Sequence, residues 1–177
     1  MSAATDLMAQ YAAYHRDRRN IATHFVGIPL IVFAVGALLA RPTIDVGGWA
    51  LTPAAIAWGL TALWYLTRGN LVLGLATSIV NLLLIAAALP LGQLEITPWL
   101  AWSLGTFFVG WVLQFIGHYY EGRKPAFVDD LRGLLIGPMF VVGEALFALG
   151  WGKKLLAEIE ARVGPTQLRD LHAPSTR

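Results

Sequence analysis

The sequence is short of charge. Asp, Glu, Lys and Arg make up only 14% of its 177 residues, where an ordinary soluble domain carries roughly 25%. Hydrophobic residues fill 56% of the chain and its mean hydropathy is +0.60. That balance reads as a membrane protein. Cysteine is absent, which excludes a disulfide framework and any thiolate metal site. A transition metal would have to take imidazole, carboxylate, amide or water ligands. The net charge is only +2, and the basic residues flank apolar runs instead of forming a stripe, so no nucleic-acid partner is expected. The opening stretch, MSAATDLMAQYAAY, lacks a basic segment followed by an apolar core and does not read as a cleaved signal peptide.

What is present is a series of apolar runs. Residues 21–40, 48–66, 71–91 and 99–119 each offer about 20 residues, enough for one helical crossing. The joints between them, RPTIDVGG, TRGN and LGQLEITP, are rich in turn residues. Trp49, Trp64, Tyr65, Trp99 and Trp111 stand near the expected ends, as an aromatic belt does. A fifth run, residues 131–150, contains Pro138 and Glu144. It suits a kinked crossing or a re-entrant element that returns to its own side.

Loop charge favours the second arrangement. With the N-terminus in the cytoplasm, four crossings put Arg16, Arg18, Arg19, Arg68, Arg123, Lys124 and Arg132 inside and Arg41 alone outside. A re-entrant fifth element keeps Lys153, Lys154, Arg162, Arg169 and Arg177 inside as well. The expected fold is therefore an all-α polytopic membrane bundle of four transmembrane helices plus a re-entrant or kinked fifth hydrophobic element. Residues 1–155 form a single membrane-embedded domain, and 156–177 a polar cytoplasmic tail. Lack of cysteine and high Ala, Gly and Arg content favour a bacterial inner membrane over endoplasmic reticulum. The oligomeric state is not set by the sequence, which is compatible with a homo-oligomer.

This topology gathers the chain's few histidines. His15 and His24 flank the start of the first crossing and His118 ends the fourth, so all three come out on the cytoplasmic face. Spacing adds a condition. In one unbroken helix, His15 and His24 would point to opposite sides, roughly 13 Å apart along the axis. A shared metal needs a break between them. Asn20, a good N-cap, is the expected breaking point; the membrane helix would start at Ile21, with His15 folded back from a short preceding helix.

Gln114, His118 and Glu121 follow at i, i+4 and i+7, placing an amide, an imidazole and a carboxylate on one helical face. Arg123 and Lys124 come next, then Pro125, Asp129 and Asp130. His172, in the polar tail, reads as solvated. Arg16, Arg18 and Arg19 read equally as orientation anchors or as holders of an anionic head group. Asn81 suits a helix–helix hydrogen bond, and Tyr14, Tyr119 and Tyr120 suit the interfacial belt. Glu144 is costly in lipid unless paired or facing a cavity. It is read equally as an orienting partner of a ligand histidine and as a ligand. Membrane diiron enzymes need more histidines than the four present. Three histidines, or two with a carboxylate, suit one divalent metal. At this level a zinc hydrolase acting on a lipid head group, an iron oxygenase and a non-enzymatic lipid-binding protein all remain open.

Two stretches narrow the choice. YHRDRRNIATHFVGIP, carrying Tyr14, His15, Asn20, His24 and Pro29, resembles the first signature of the membrane 2-hydroxy fatty acid dioxygenase family. WVLQFIGHYYEGRKPAFVDDL resembles the second, with Gln114, Phe115, Gly117, His118, Glu121, Arg123, Lys124, Pro125, Ala126 and Asp129. GPMFVVGE, with Pro138, Phe140 and Glu144, adds a weaker third. The resemblance covers about residues 11–150.

It implies a small multi-pass protein that uses Fe(II) and O2 to shorten a 2-hydroxy fatty acid by one carbon. The expected metal ligands are His15, His24 and His118. Glu121 is the favoured carboxylate, as a ligand or an orienting group, and Arg123 or Lys124 would hold the substrate carboxylate. Asn20, Gln114, Asp129 and Glu144 would orient the ligands. The substrate would stay in its membrane leaflet with its acyl chain among the helices.

Overall fold

The computed structural model describes residues 2–171. A short helix, α1 (Ala3–Ala12), precedes the first long one, α2 (Arg18–Leu38). Strands β1 (Ile44–Val46) and β2 (Trp49–Leu51) form an antiparallel hairpin. Then come α3 (Pro53–Leu66), α4 (Leu71–Ala88), α5 (Ile96–Glu121), α6 (Gly133–Ala148) and α7 (Lys153–Val163). The helix α2, the helix α4 with its 3-10 extension to Gln93, and α5 are each long and apolar enough to cross a membrane, while α6 and α7 form a pair bent by 117°. The molecule is a polytopic helical membrane bundle. Its outward faces carry exposed apolar side chains such as Leu60 and Phe108, each 65% exposed, as suits contact with lipid.

Three details differ from expectation. The second crossing is shorter than the run 48–66: α3 has 14 residues, roughly 21 Å of helix. Thr52 caps it and Pro53 fixes its first turn, while the residues just before are drawn into the hairpin. Gly47 and Gly48 both have positive φ, as a tight two-residue hairpin turn requires. The first long helix begins at Arg18, not Ile21, because Asp17 caps it by accepting from Arg19 N at 2.8 Å. Asn20 lies inside the helix, and its side chain is engaged elsewhere. In the fifth run Pro138 sits within an unbroken α6; the bend falls after it, where Gly150 and Gly152 take positive φ.

The four long segments alternate direction, so the start of α2, the α3–α4 turn and the end of α5 share one end of the bundle. The helix α1 lies across that end. Ala4 N donates to Arg68 O in the α3–α4 turn, and α6 and α7 pack on α1. The α6 glycines touch only this end: Gly137 lies against Tyr11 and Ile28, Gly143 against Met8 and Leu73. The main buried cluster, with Met8, Tyr65, Leu73, Phe140 and Ile159, fills the same end. Leu155 and Ile159 of α7 are buried in it.

The helices α2 and α5 make the closest pair. A Cβ on Gly27 would come within 2.8 Å of Gly110 O, and one on Gly110 within 2.9 Å of Gly27 O. Such close approach of small residues is how membrane helices gain packing energy without a hydrophobic driving force. Asn81 of α4 is buried beside Tyr65 of α3 on the wall of one cavity.

Candidate metal centre

The chain breaks between its first two histidines, at residues 13–17. The helix α1 ends at Ala12, and α2 starts only after Asp17. This turn brings His15 back over His24, and the close α2–α5 packing adds His118. The three rings lie 4.5, 4.9 and 5.1 Å apart, centroid to centroid. One nitrogen from each lies within 4.8 Å of the others, and all three residues are buried.

Their tautomers follow from their partners. His15 Nδ1 faces Tyr11 O at 2.8 Å and His24 Nδ1 faces Asn20 O at 2.9 Å. A carbonyl only accepts, so each Nδ1 carries the proton and each Nε2 is left with a bare lone pair. Those two Nε2 atoms stand 3.0 Å apart. Two lone pairs facing each other at that distance repel unless a cation lies between them. His118 Nδ1 is buried without a partner, so this third imidazole is open to join the group. Burial first, then the neighbouring His24 and His118, pushes the His15 pKa well below its usual value, keeping this imidazole in the neutral form that binds metal. Tyr11 stacks on His15 at 4.1 Å, and Phe140 closes over it at 5.2 Å. The donor set fits a divalent metal.

Glu121, expected as a ligand or an orienting group, has its carboxylate engaged by the chain itself. Its Oε1 and Oε2 accept from Arg16 N at 2.9 and 3.0 Å, and Oε2 also accepts from Asp17 N at 2.9 Å and Asn20 Nδ2 at 3.0 Å. The carboxylate clamps the backbone of the break that carries His15. Asn20 is part of the same clamp and also donates to Tyr14 O.

Arg123 and Lys124 point away from the cluster. Arg123 donates to Ala13 O and lies over the Tyr14 ring, while Lys124 pairs with Asp129 at 2.6 Å. Asp129 also accepts from Tyr14 OH, so it braces the surface of the break. Arg16 spends its guanidinium on Ala12 O, His15 O and Gly164 O. Glu144 faces Arg16, with Glu160 nearby, and stands outside the histidine cluster. His172 lies outside the described residues.

A chamber opens beside the cluster. His24, His118, Gln114, Trp111 and Tyr11 line it. Gln114 Nε2 and Trp111 Nε1 are buried with no partner. Orphaned buried donors are rare and costly; Arg16 Nη2 and Ser103 Oγ are others, but Gln114 and Trp111 are the ones on the chamber wall. Trp111 had been read only as a belt residue; its position seven residues, or about two turns, before His118 is the signal that places it on the site's face.

Gly117 keeps the site closed. A Cβ there would collide with Thr23 Oγ1 and Asn20 Oδ1 and come within 3.2 Å of His24 Nδ1. Gly117→Ala should cost about 1–3 kcal/mol through overpacking and lower metal affinity by separating α2 from α5. Thermal unfolding and metal titration of the variant check this; wild-type values in both would show that the close approach at Gly117 is dispensable.

A family model described as 2-hydroxy-palmitic acid dioxygenase Mpo1-like matches residues 1–149. The chain is similar to the 2-hydroxy-palmitic acid dioxygenase MPO1 of Saccharomyces cerevisiae, at 32% identity over 161 residues, covering 88% of each chain. No solved structure matches.

Proposed function

Because the chain belongs to the Mpo1-like 2-hydroxy-palmitic acid dioxygenase family, we propose that it is an Fe(II)-dependent dioxygenase that shortens 2-hydroxy fatty acids by one carbon at the membrane surface. The observation that carries this is the pair of deprotonated Nε2 atoms 3.0 Å apart, with a third buried imidazole beside them. Three neutral imidazoles would hold one divalent metal and leave positions open for substrate, and the family match supports iron as that metal.

His15, His24 and His118 hold the metal, and the carbonyls of Tyr11 and Asn20 fix the two ring orientations. When bound, the metal supplies a Lewis-acid centre for the α-hydroxy carboxylate and the redox chemistry for O2. Trp111 Nε1–H and the Gln114 amide are the donors that meet the polar head of the acid, in the role first given to Arg123 and Lys124. Tyr11 and Phe140 keep bulk water from His15, so that hydrogen bonds in the chamber act in a low dielectric. The overall change needs no outside reductant when C1 leaves as CO2: 2-hydroxy acid plus O2 balances as shortened acid, CO2 and water.

Every described basic residue except Arg41 lies at the histidine end of the bundle, which supports a cytoplasmic site and cytoplasmic termini. Composition supports a bacterial inner membrane, and a single membrane-embedded catalytic domain. Protein purified without air and loaded with Fe(II) should convert a long-chain 2-hydroxy acid to the acid one carbon shorter, only when O2 is admitted. Product without O2, or full activity with zinc alone, would reject the proposal.

A further inference from the structure

We infer that the substrate's acyl chain runs down a channel alongside α2, and that the distance from the histidines to Leu39, Ala54 and Ala57 sets the chain length the protein accepts. This rests on the reading of the site as one for a 2-hydroxy acid.

The chamber beside His24 and His118 does not end at the metal site. A second, larger cavity of about 300 Å³, partly open to the outside, lies further along α2. Ile31, Val32, Trp111, Leu134 and Pro138 line both cavities, so the two adjoin, parted by no more than those side chains. One stripe of α2 carries His24, Ile28, Ile31, Val35 and Leu39, spaced by three or four residues, and so faces the space throughout. Ala54, Ala57, Trp58, Thr61 and Tyr65 form the matching stripe of α3.

The wall is apolar in effect as well as in composition. The polar groups of α3 on it are already engaged: Tyr65 OH donates to Leu135 O, Thr61 Oγ1 to Trp58 O, and Trp58 Nε1 to Ser78 O; Asn81 stands beside them. At the histidine end the position is reversed, since Gln114 Nε2 and Trp111 Nε1 lack partners. A ligand with a polar head and a long saturated tail satisfies both ends, and it can lie only one way round.

Length narrows the occupant further. His24 to Leu39 spans roughly 22 Å of helix. An extended chain advances about 1.25 Å per carbon, from a bond of about 1.5 Å. After space for the head, the channel holds a tail of about 15 carbons. Small residues, Ala54 and Ala57, stand at its far part. The helices α3 and α5 flank it without packing extensively on each other, so a tail can enter sideways from the lipid.

Two measurements test this. In Ala57→Phe protein, the ratio of kcat/KM for an 18-carbon to that for a 10-carbon 2-hydroxy acid should fall by at least about tenfold, the discrimination given by one displaced methylene. An unchanged ratio in folded variant overturns the channel. Should that variant not fold, wild-type protein carries the test, photolabelled with 2-hydroxy acids bearing a diazirine at the tail end. A 16-carbon probe should label α2 near Val35 and Leu39 and α3 near Ala54 and Ala57, and a 10-carbon probe should label near Ile31 and Val32. Labelling of outward residues such as Leu60 and Phe108 by both probes overturns the channel, even if turnover is normal. Labelling of the channel without any turnover leaves the channel standing and removes the dioxygenase reading instead.

Discussion

His118→Ala protein is expected to fold, to retain almost no metal and to form no shortened acid. Changing a group that merely orients a ligand typically costs 10–100-fold in metal affinity or activity; removing one of three ligands should cost more. His118 is the only one of the three that comes from α5, and its Nδ1 is buried there without a partner. Without it, His15 and His24 offer just two facing nitrogens. His15→Ala and His24→Ala should behave alike. His172→Ala, outside the described residues, should keep both metal and activity and serves as the control. Metal content of anaerobically purified protein, measured beside product formation, reads the result. Full metal retention by His118→Ala protein would reject the three-histidine site.

Glu121→Ala should be nearly as damaging, for a different reason. The variant leaves Arg16 N, Asp17 N and Asn20 Nδ2 without their acceptor, where Glu121 now receives them at 2.9–3.0 Å. Hydrogen bonds to a charged group contribute about 1.5–3 kcal/mol each and are not additive. A net loss of about 2–4 kcal/mol is expected, or roughly 5–12 °C in Tm for a chain of this size. Metal affinity should fall about 10–100-fold as His15 loses its support. The decisive comparison is the metal-free protein. A clamp stabilises it, so Glu121→Ala lowers its Tm as well. A carboxylate whose work is to bind metal does not, and only the loaded protein would suffer. Glu121→Gln should fall between wild type and alanine, because it keeps one oxygen and turns an NH2 toward the same donors.

The parts of this molecule that could be read in advance depended on long signals. Apolar runs of about 20 residues and their direction of travel bring His15, His24 and His118 to one end. The angle between His15 and His24 required a break. Where the break falls was not legible: Asp17 and Asn20 are both good N-caps, and the choice between them is made by Glu121, distant in sequence. Helical spacing puts Glu121 on the face of His118 but says nothing of the backbone that will meet it. Arg123 and Lys124 lie beyond Gly122, whose positive φ of 68° turns the chain out of the helix, so the face assigned by spacing does not extend to them. The channel was hidden because membrane helices are apolar all round; nothing in α3 alone distinguishes Ala57, facing the cavity, from Leu60, facing lipid. The hairpin was signalled by Val46, Gly47 and Gly48 but was read only as a turn.

The stretch 164–169 returns to the break and is sewn to it. Gln167 N donates to Arg16 O at 2.8 Å, Arg18 N to Gln167 O at 3.0 Å, and Arg169 N to Asp17 Oδ2 at 2.8 Å. On the ribosome the two sides of this seam emerge about 150 residues apart, roughly 8–30 s at usual elongation rates. A chain halted before Gly164 has already made all three histidines and every membrane helix, yet it lacks the stitches that hold the backbone around His15. The site's earliest ligand is thus secured in part by a segment made about 150 residues after it.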